Sequence, residues 1–476
     1  MQRSTIVASR RSVLIGSGSL LALASTLGFG RATTAKTLDF KLVAKPAAVA
    51  IAGSKKLTDV WSYSGLVPGP EIRVRQGDRL RVVVENQLPE ETTVHWHGIR
   101  LQNAMDGVPH VTQHPIQPGA QFTYEFECPD AGTYWYHPHV RSFEQVARGL
   151  FGALIVEEKS PLLVDREQTL VLSDWRLRSD GSVVEDFGHL HDLTHAGRIG
   201  NVVTVNGVPS PELSVTAGER IRLRIVNAAT ARIFGLKFER QNPVVVSLDG
   251  HAIEPYQLRD ELLVIGPGMR ADVVIDMEGE PGASHGVVDR FYRGRDYELL
   301  TFKYTQQKLA SGRFVNSPKI VPATSLPQPD VVNAVRHDIL MAGGMMGGLR
   351  SAVVDGKETD IRSMIEQRLM WALNGVAAKG HAHAPSIQLV KGQSCVLNLI
   401  NETGWPHPMH LHGHVFLVLS RNRKPVERKE WRDTVLIPAR ETAEIAFLAD
   451  NPGDWMFHCH VLDHDAGGMK TTIRVS

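Results

Sequence analysis

Three segments of this chain carry one hydrophobic and polar pattern. They are IRVRQGDRLRVVVEN at 72–86, LSVTAGERIRLRIVN at 213–227 and IQLVKGQSCVLNLIN at 387–401. In each, apolar and polar positions alternate and a glycine (Gly77, Gly218, Gly392) interrupts the run. An asparagine nine residues later (Asn86, Asn227, Asn401) ends it. Period-two alternation around a glycine predicts two antiparallel strands joined by a turn. Three copies spread over 476 residues predict an all-β chain of three homologous β-sandwich domains.

The repeat runs on past the asparagine. Eighteen and twenty residues after each glycine lie His95 and His97, then Leu236 and Phe238, then His410 and His412. A second spacing recurs in the outer copies. Ile116 is followed by Gly132 and His137, and Ile437 by Gly453 and His458, at equal offsets. His137-Pro138-His139 therefore aligns with His458-Cys459-His460. The pattern sets an N-terminal segment at 1–35, a first domain at 36–159, a second at 160–308, a linker at 309–330 and a third domain at 331–476. Residues 359–369 lack strand alternation and predict a short surface helix.

Composition narrows the classes. Lys+Arg of 52 against Asp+Glu of 51 gives a net charge of +1, so nucleic acid and anionic membrane are not expected partners. Gly 42 and Pro 26 suit a turn-rich β protein. Three cysteines are too few for a disulfide framework; Cys128 and Cys395 read as buried thiols, with a bridge between them as the alternative. Paired Arg10 and Arg11 precede a Gly/Ser-rich apolar run at 14–29 and an Ala-rich stretch at 31–35. This resembles a twin-arginine export signal, so a periplasmic or secreted protein is expected, with no membrane attachment after signal removal.

The chemistry concentrates in four histidine segments: His95-Trp96-His97, His137-Pro138-His139, His407-Pro408-Met409-His410-Leu411-His412 and His458-Cys459-His460. Alternate residues of a strand share a face, so each His-x-His aims two imidazoles one way. Cys459 points opposite to its flanking histidines. Cys459, His464 and Met469, completed by His407, match the His₂Cys set with a weak axial Met of a blue copper site. One cysteine with a downstream methionine is a poor zinc set. The first domain has Thr92, Pro138 and Phe143 where the third has His407, Cys459 and His464, so it cannot hold that site. The middle copy carries neither set and reads as a spacer.

These segments resemble the four signature motifs of the multicopper oxidases. The resemblance implies three consecutive cupredoxin-like Greek-key domains and four copper ions. It assigns type 1 copper to His407, Cys459, His464 and Met469, type 2 to His95 and His410, and a type 3 pair to His97, His137, His139, His412, His458 and His460. His414 lies outside the pattern and reads as structural. The implied reaction is four one-electron oxidations of a small donor (a phenol, an aromatic amine or Cu(I)) coupled to reduction of O₂ to water by a monomer. Asp106 and Asp465 stand where the family has proton donors, Asp465 being one carbon shorter than the Glu common in bacterial members. Met341, Met345 and Met346 suggest a soft Cu(I) contact and a role in copper homeostasis. His189, His191 and His195 read as a solvated loop cluster. Two other readings stand beside this one. A non-enzymatic cupredoxin-fold scaffold would lack the ligands that are kept here. A copper nitrite reductase resembles a two-domain trimer, against which the three repeats speak.

Overall fold

The computed structural model describes residues 36–51, 56–310, 318–320, 326–381 and 384–476. The expected export signal lies outside them, and the expected linker lies partly outside them. Among the described residues no helix is long and apolar enough to cross a membrane.

Each repeat builds two facing sheets. In the first copy, Thr58–Tyr63, Thr37–Val49, Arg79–Asn86 and Gln121–Glu127 form one sheet. Ile72–Arg75, Gly152–Glu157, Gly132–His137 and His95–His97 form the other, in that order. The third copy repeats the second sheet as Ile387–Leu389, Lys470–Val475, Gly453–Cys459 and His407–Leu411. The middle copy repeats it as Glu212–Ala217, Tyr297–Lys308, Ser284–Asp289 and Phe234–Phe238. Alternation works here because one face of each sheet meets the partner sheet and excludes water.

One expectation needs correction. The strands on either side of each repeat glycine do not lie in one sheet. Ile72–Arg75 pairs with Gly152–Glu157, whereas Arg79–Asn86 pairs with Thr37–Val49 and Gln121–Glu127. The glycine is a crossover between the two sheets. Gly77, Gly218 and Gly392 all have φ of 85–88°, the left-handed region that glycine alone enters freely. Their N–H groups donate to equivalent carbonyls of Cys128, Met277 and Ala449.

The repeat asparagine is a buried brace. Asn86 Nδ2 donates to Ile116 O (2.7 Å) and Glu90 O (2.8 Å), and its Oδ1 accepts from Leu88 N–H (2.9 Å). Asn227 does the same with Ile265 O, Arg232 O and Ala229 N–H. Asn401 does so with Ile437 O, Trp405 O and Thr403 N–H. An amide is the one small side chain that donates twice and accepts in a single plane. The 359–369 stretch yields the helix Ile361–Glu366, capped by the Asp360 carboxylate. All three cysteines are free and buried, so there is no Cys128–Cys395 bridge.

Replacing Asn227 by Ala strands two carbonyls and one N–H in the core. We expect a loss of about 1–3 kcal/mol, read as a lowered midpoint in chemical denaturation. An unchanged midpoint would remove the brace.

Candidate metal centre

The histidine strands pair in register. His95 lies opposite His137 in the first copy, and His410 opposite His458 in the third. Trp96 and Tyr136 fill the same positions on the inner face and pack into the first core. In the third copy, Met409 and Cys459 occupy that inner face. The histidines of both copies are thus left on outer faces, which meet.

The meeting obeys a twofold relation. The ring of His95 stacks on His412 at 3.9 Å, and its repeat equivalent, His410, stacks on His97 at 3.7 Å. His137 meets His460 at 5.2 Å, and the equivalent His458 meets His139 at 5.3 Å. All eight imidazoles are buried. Burial pushes the pKa values of His97, His137, His139, His410, His412, His458 and His460 down, which keeps their rings neutral.

Each ring's proton has an oxygen wherever the surroundings offer one. His95 Nδ1 donates to Asp106 O and His410 Nδ1 to Asp433 O, both at 2.9 Å. His137 Nδ1 and His458 Nδ1 donate to the carbonyls of Pro138 and Cys459, both at 3.0 Å. His412 Nδ1 donates to Asp106 Oδ2 at 2.9 Å, and His97 Nε2 to Asp433 Oδ1 at 3.1 Å. The opposite nitrogens of His95, His97, His137 and His410 have no hydrogen-bond partner, nor has either ring nitrogen of His139 or His460. His412 Nε2 and His458 Nε2 face each other at 3.2 Å. Buried imidazole lone pairs without partners are costly unless cations bind them. The donor set therefore fits copper.

A second cluster lies behind Cys459. His407 Nδ1 and His464 Nδ1 are 3.1 Å apart, and the Cys459 sulfur is 3.4 and 3.7 Å from them. Their far nitrogens are tied off, His407 Nε2 to Thr403 Oγ1 (2.8 Å) and His464 Nε2 to the His195 carbonyl (2.7 Å). Met469 is fully buried, and its carbonyl accepts from Cys459 N–H. Burial lowers the His464 pKa to about 3 and raises that of the Cys459 thiol well above its ordinary value. A buried thiol ionises only beside a cation, which this donor set is built to hold. In the first copy the place of His407 is taken by Thr92, whose hydroxyl donates to Gln145.

Asp106 lies 1% exposed between His95 and His412. Asp465 is 3.7 Å from His458 Nδ1 and 3.4 Å from the Lys470 ammonium, and burial raises its pKa. His414 is buried against Trp455 and Phe447, and its Nδ1 donates to the His412 carbonyl at 3.3 Å. The three methionines are split. Met341 is fully buried in the strand Val335–Gly343, whose inner face is core, so it has no access to a solvent ion. Met345 and Met346 are 51% and 68% exposed. Of the histidine loop, His189 and His191 are exposed as expected, while His195 is half-buried and turned to the second cluster. His195 caps His464 through its carbonyl, and its ring meets Trp405 at 5.4 Å.

Sequence reasoning missed Asp433, Arg270, Thr403 and the His195 carbonyl. Asp433 is fully buried and touches His97, His410 and Arg270. The middle copy, read as a spacer, thus supplies two supporting groups. The available signal was Arg270 heading the apolar run RADVVID (270–276), a charge where a core strand has no use for one.

Family models described as multicopper oxidase match residues 45–161, 166–295 and 356–476. The chain is similar to multicopper oxidase MmcO of Mycobacterium tuberculosis, 28% identical over 96% of this chain and 91% of the relative. It is similar to the crystal structure of a Pseudomonas thermotolerans multicopper oxidase, 34% identical with a TM-score of 0.82, covering 93% of this chain and all of that one. A Pseudomonas parafulva multicopper oxidase structure is 36% identical with a TM-score of 0.78, over 92% of this chain and all of that one. With the paired histidine strands and three sandwiches, these matches settle the lineage: the chain belongs to the multicopper oxidase family, copper-dependent oxidoreductases that use O₂.

Proposed function

We propose that this protein takes single electrons from a small donor, a phenol, an aromatic amine or Cu(I), and gives four of them with four protons to O₂, yielding two waters. When bound, copper supplies the one-electron chemistry, as a type 1 ion on His407, Cys459, His464 and Met469, a type 2 ion on His95 and His410, and a type 3 pair on the other six histidines. The single observation that carries this reading is the pairing of an eight-imidazole cavity with a buried His₂Cys cluster one residue away.

The chain's own residues divide the work. Cys459 is bonded through the backbone to both His458 and His460, so one residue joins the two clusters covalently. The neutral rings present lone pairs, and their protons are parked on oxygens. Asp106, between His95 and His412, and Asp465, beside His458 and Lys470, are the proton-handling carboxyls of this reading. Donor contact falls at His195 and Trp405. His464 reaches His195 through its carbonyl. His407 reaches Trp405 through Thr403, whose Oγ1 accepts from Trp405 N–H at 3.1 Å. Trp405 Nε1 in turn holds the Met345 carbonyl, which sets the exposed Met345 and Met346 beside that patch. The reading includes export through the twin-arginine segment, action as a periplasmic or secreted monomer, and domains at 36–159, 160–308 and 331–476. Copper homeostasis is the process served if Cu(I) is the donor.

Copper-loaded protein should be blue, and Cys459→Ser should bleach it and stop O₂ uptake. A wild type that stays colourless with copper would overturn the His₂Cys assignment. For the donor, replacing Met345 and Met346 by Leu should slow O₂ uptake with Cu(I) several-fold and spare turnover of a phenol. Equal Cu(I) rates in the two proteins would remove the thioethers from donor binding.

The copper-free protein should be acid-sensitive. His251 is buried, with its pKa lowered to about 4, and His464 to about 3, against about 6.5 unfolded. Between those values the unfolded chain binds protons that the folded one refuses. Stability is therefore full above about pH 6.5 and falls as pH drops towards 4, by roughly 3 kcal/mol for His251 alone. Thermal unfolding against pH measures this. A flat profile for copper-free protein over that window would contradict the neutral, buried rings.

A further inference from the structure

Among the described residues, the Arg270–Asp433 pair is the one buried ion pair that reaches the imidazole cluster from the middle domain. Asp433 Oδ1 accepts from His97 Nε2 (3.1 Å), Thr434 Oγ1 (2.8 Å) and Arg270 Nη1 (2.7 Å), and lies 3.4 Å from His410 Nδ1. Its Oδ2 accepts from Arg270 Nη2 at 2.5 Å. Arg270 is fully buried. It also donates to Thr133 O on the His137 strand (3.1 Å), and to Asp249 O (2.9 Å) and Gly268 O (3.1 Å) in the middle copy. One guanidinium therefore joins all three domains. The first histidine motif makes room for it. Gly98 has φ of 87°, and a Cβ there would collide with Arg270 Nη2 and Asp433 Oδ2. A Cβ on Gly268 would lie 2.8 Å from the His460 ring and 3.0 Å from His97 Cε1, so the loop carrying Arg270 packs directly on the cavity.

The chemistry of the pair follows from its partners. An imidazole presents a lone pair on one nitrogen only when its proton sits on the other. Asp433 takes the proton side of two rings from different domains, that of His97 with its carboxylate (3.1 Å) and that of His410 with its backbone carbonyl (2.9 Å) and, farther off, its carboxylate (3.4 Å), so His97 turns Nδ1 and His410 turns Nε2 inward. Without the carboxylate His97 can place its N–H inward, where it opposes a cation, and His410 loses the negative charge beside its proton. A carboxylate in this dry position is itself tolerable only with a cationic partner, and Arg270 is the group in bidentate contact.

We propose that Arg270 and Asp433 are positioning residues that couple copper uptake by the imidazole cavity to docking of the middle domain. They fix the tautomer of His97 and place a negative charge beside the His410 proton, while the cluster around Cys459 does not depend on them. The inference rests on the functional reading above, which requires wild-type protein to carry copper in that cavity; its copper content and type 2 EPR signal test that separately.

Two variants test the coupling. Asp433→Asn keeps the volume of the side chain but replaces the carboxylate with an amide. The double variant Arg270→Met with Asp433→Leu removes both charges together, which leaves no unpaired buried ion to unfold the chain. Copper content after dialysis against a chelator, the type 2 EPR signal and the blue absorbance are read on each. Both variants should keep the blue absorbance, lose the type 2 signal or shift its parameters, and hold cavity copper about 10- to 100-fold more weakly. Wild-type copper retention and EPR parameters in the double variant would overturn the proposal. So would parallel loss of blue absorbance and cavity copper, since the pair would then maintain the fold as a whole.

Discussion

Everything in this molecule turns on burying eight imidazoles together with their lone pairs facing each other. Left alone, such a cluster is unfavourable, because water would bind those nitrogens and burial denies it access. The fold meets the constraint in two ways. Oxygens of Asp106, Pro138, Asp433 and Cys459 take ring protons on the outer side. Strand pairing presents the rings on one side, with His95 opposite His137 and His410 opposite His458. The buried donor set suits soft cations, whose binding would recover the free energy that desolvation costs.

Duplication explains why this shape exists. Two copies of one sandwich, facing across a twofold axis, give four histidines each at equivalent positions. The near equality of the two stacking distances, 3.9 and 3.7 Å, is that symmetry made visible. The symmetry breaks behind the cavity. In the third copy Cys459 and Met409 face inward, and His407 and His464 join the sulfur. In the first, Pro138 and a Thr92–Gln145 hydrogen bond fill the corresponding space. One half therefore keeps a cation site in its core, and the other remains an ordinary sandwich.

This division also marks what the sequence made legible. The repeats, the sandwich class and the gathering of the histidines follow from spacing, because a strand has period two and homologous strands share a register; the family came from the resemblance of the four histidine motifs. The glycine crossover was misread, because alternation reports which face is buried and not which strand lies alongside. Asp433 was not legible and Arg270 was marked only by a charge in a core strand, since their meaning depends on a contact between positions 163 residues apart. The same holds for Met341. Its composition-level neighbours, Met345 and Met346, are exposed, but alternation along Val335–Gly343 turns Met341 into the core.

The middle copy is where the sequence reading was thinnest and where the structure adds most. It lost its histidines to Leu236 and Phe238, yet it carries a dense buried charge network. Arg222 and Arg224 share Asp272, Glu158 and Glu167, and Thr133 of the first copy joins them through hydrogen bonds to Arg224 and Asp272. Apolar packing would stabilise such a junction at least as well, because burying charges costs several kcal/mol per ion before pairing offsets it. What ion pairs add is direction: a bidentate guanidinium accepts one docking geometry and penalises its neighbours. The network at Arg222 and Arg224 and the pair at Arg270 lie along consecutive strands, Arg220–Asn227 and Arg270–Asp276. That sheet is thus an orienting surface. Through Arg270 it touches both the first copy's His137 strand and the third copy's Asp433, which places it between two half-sites far apart in sequence.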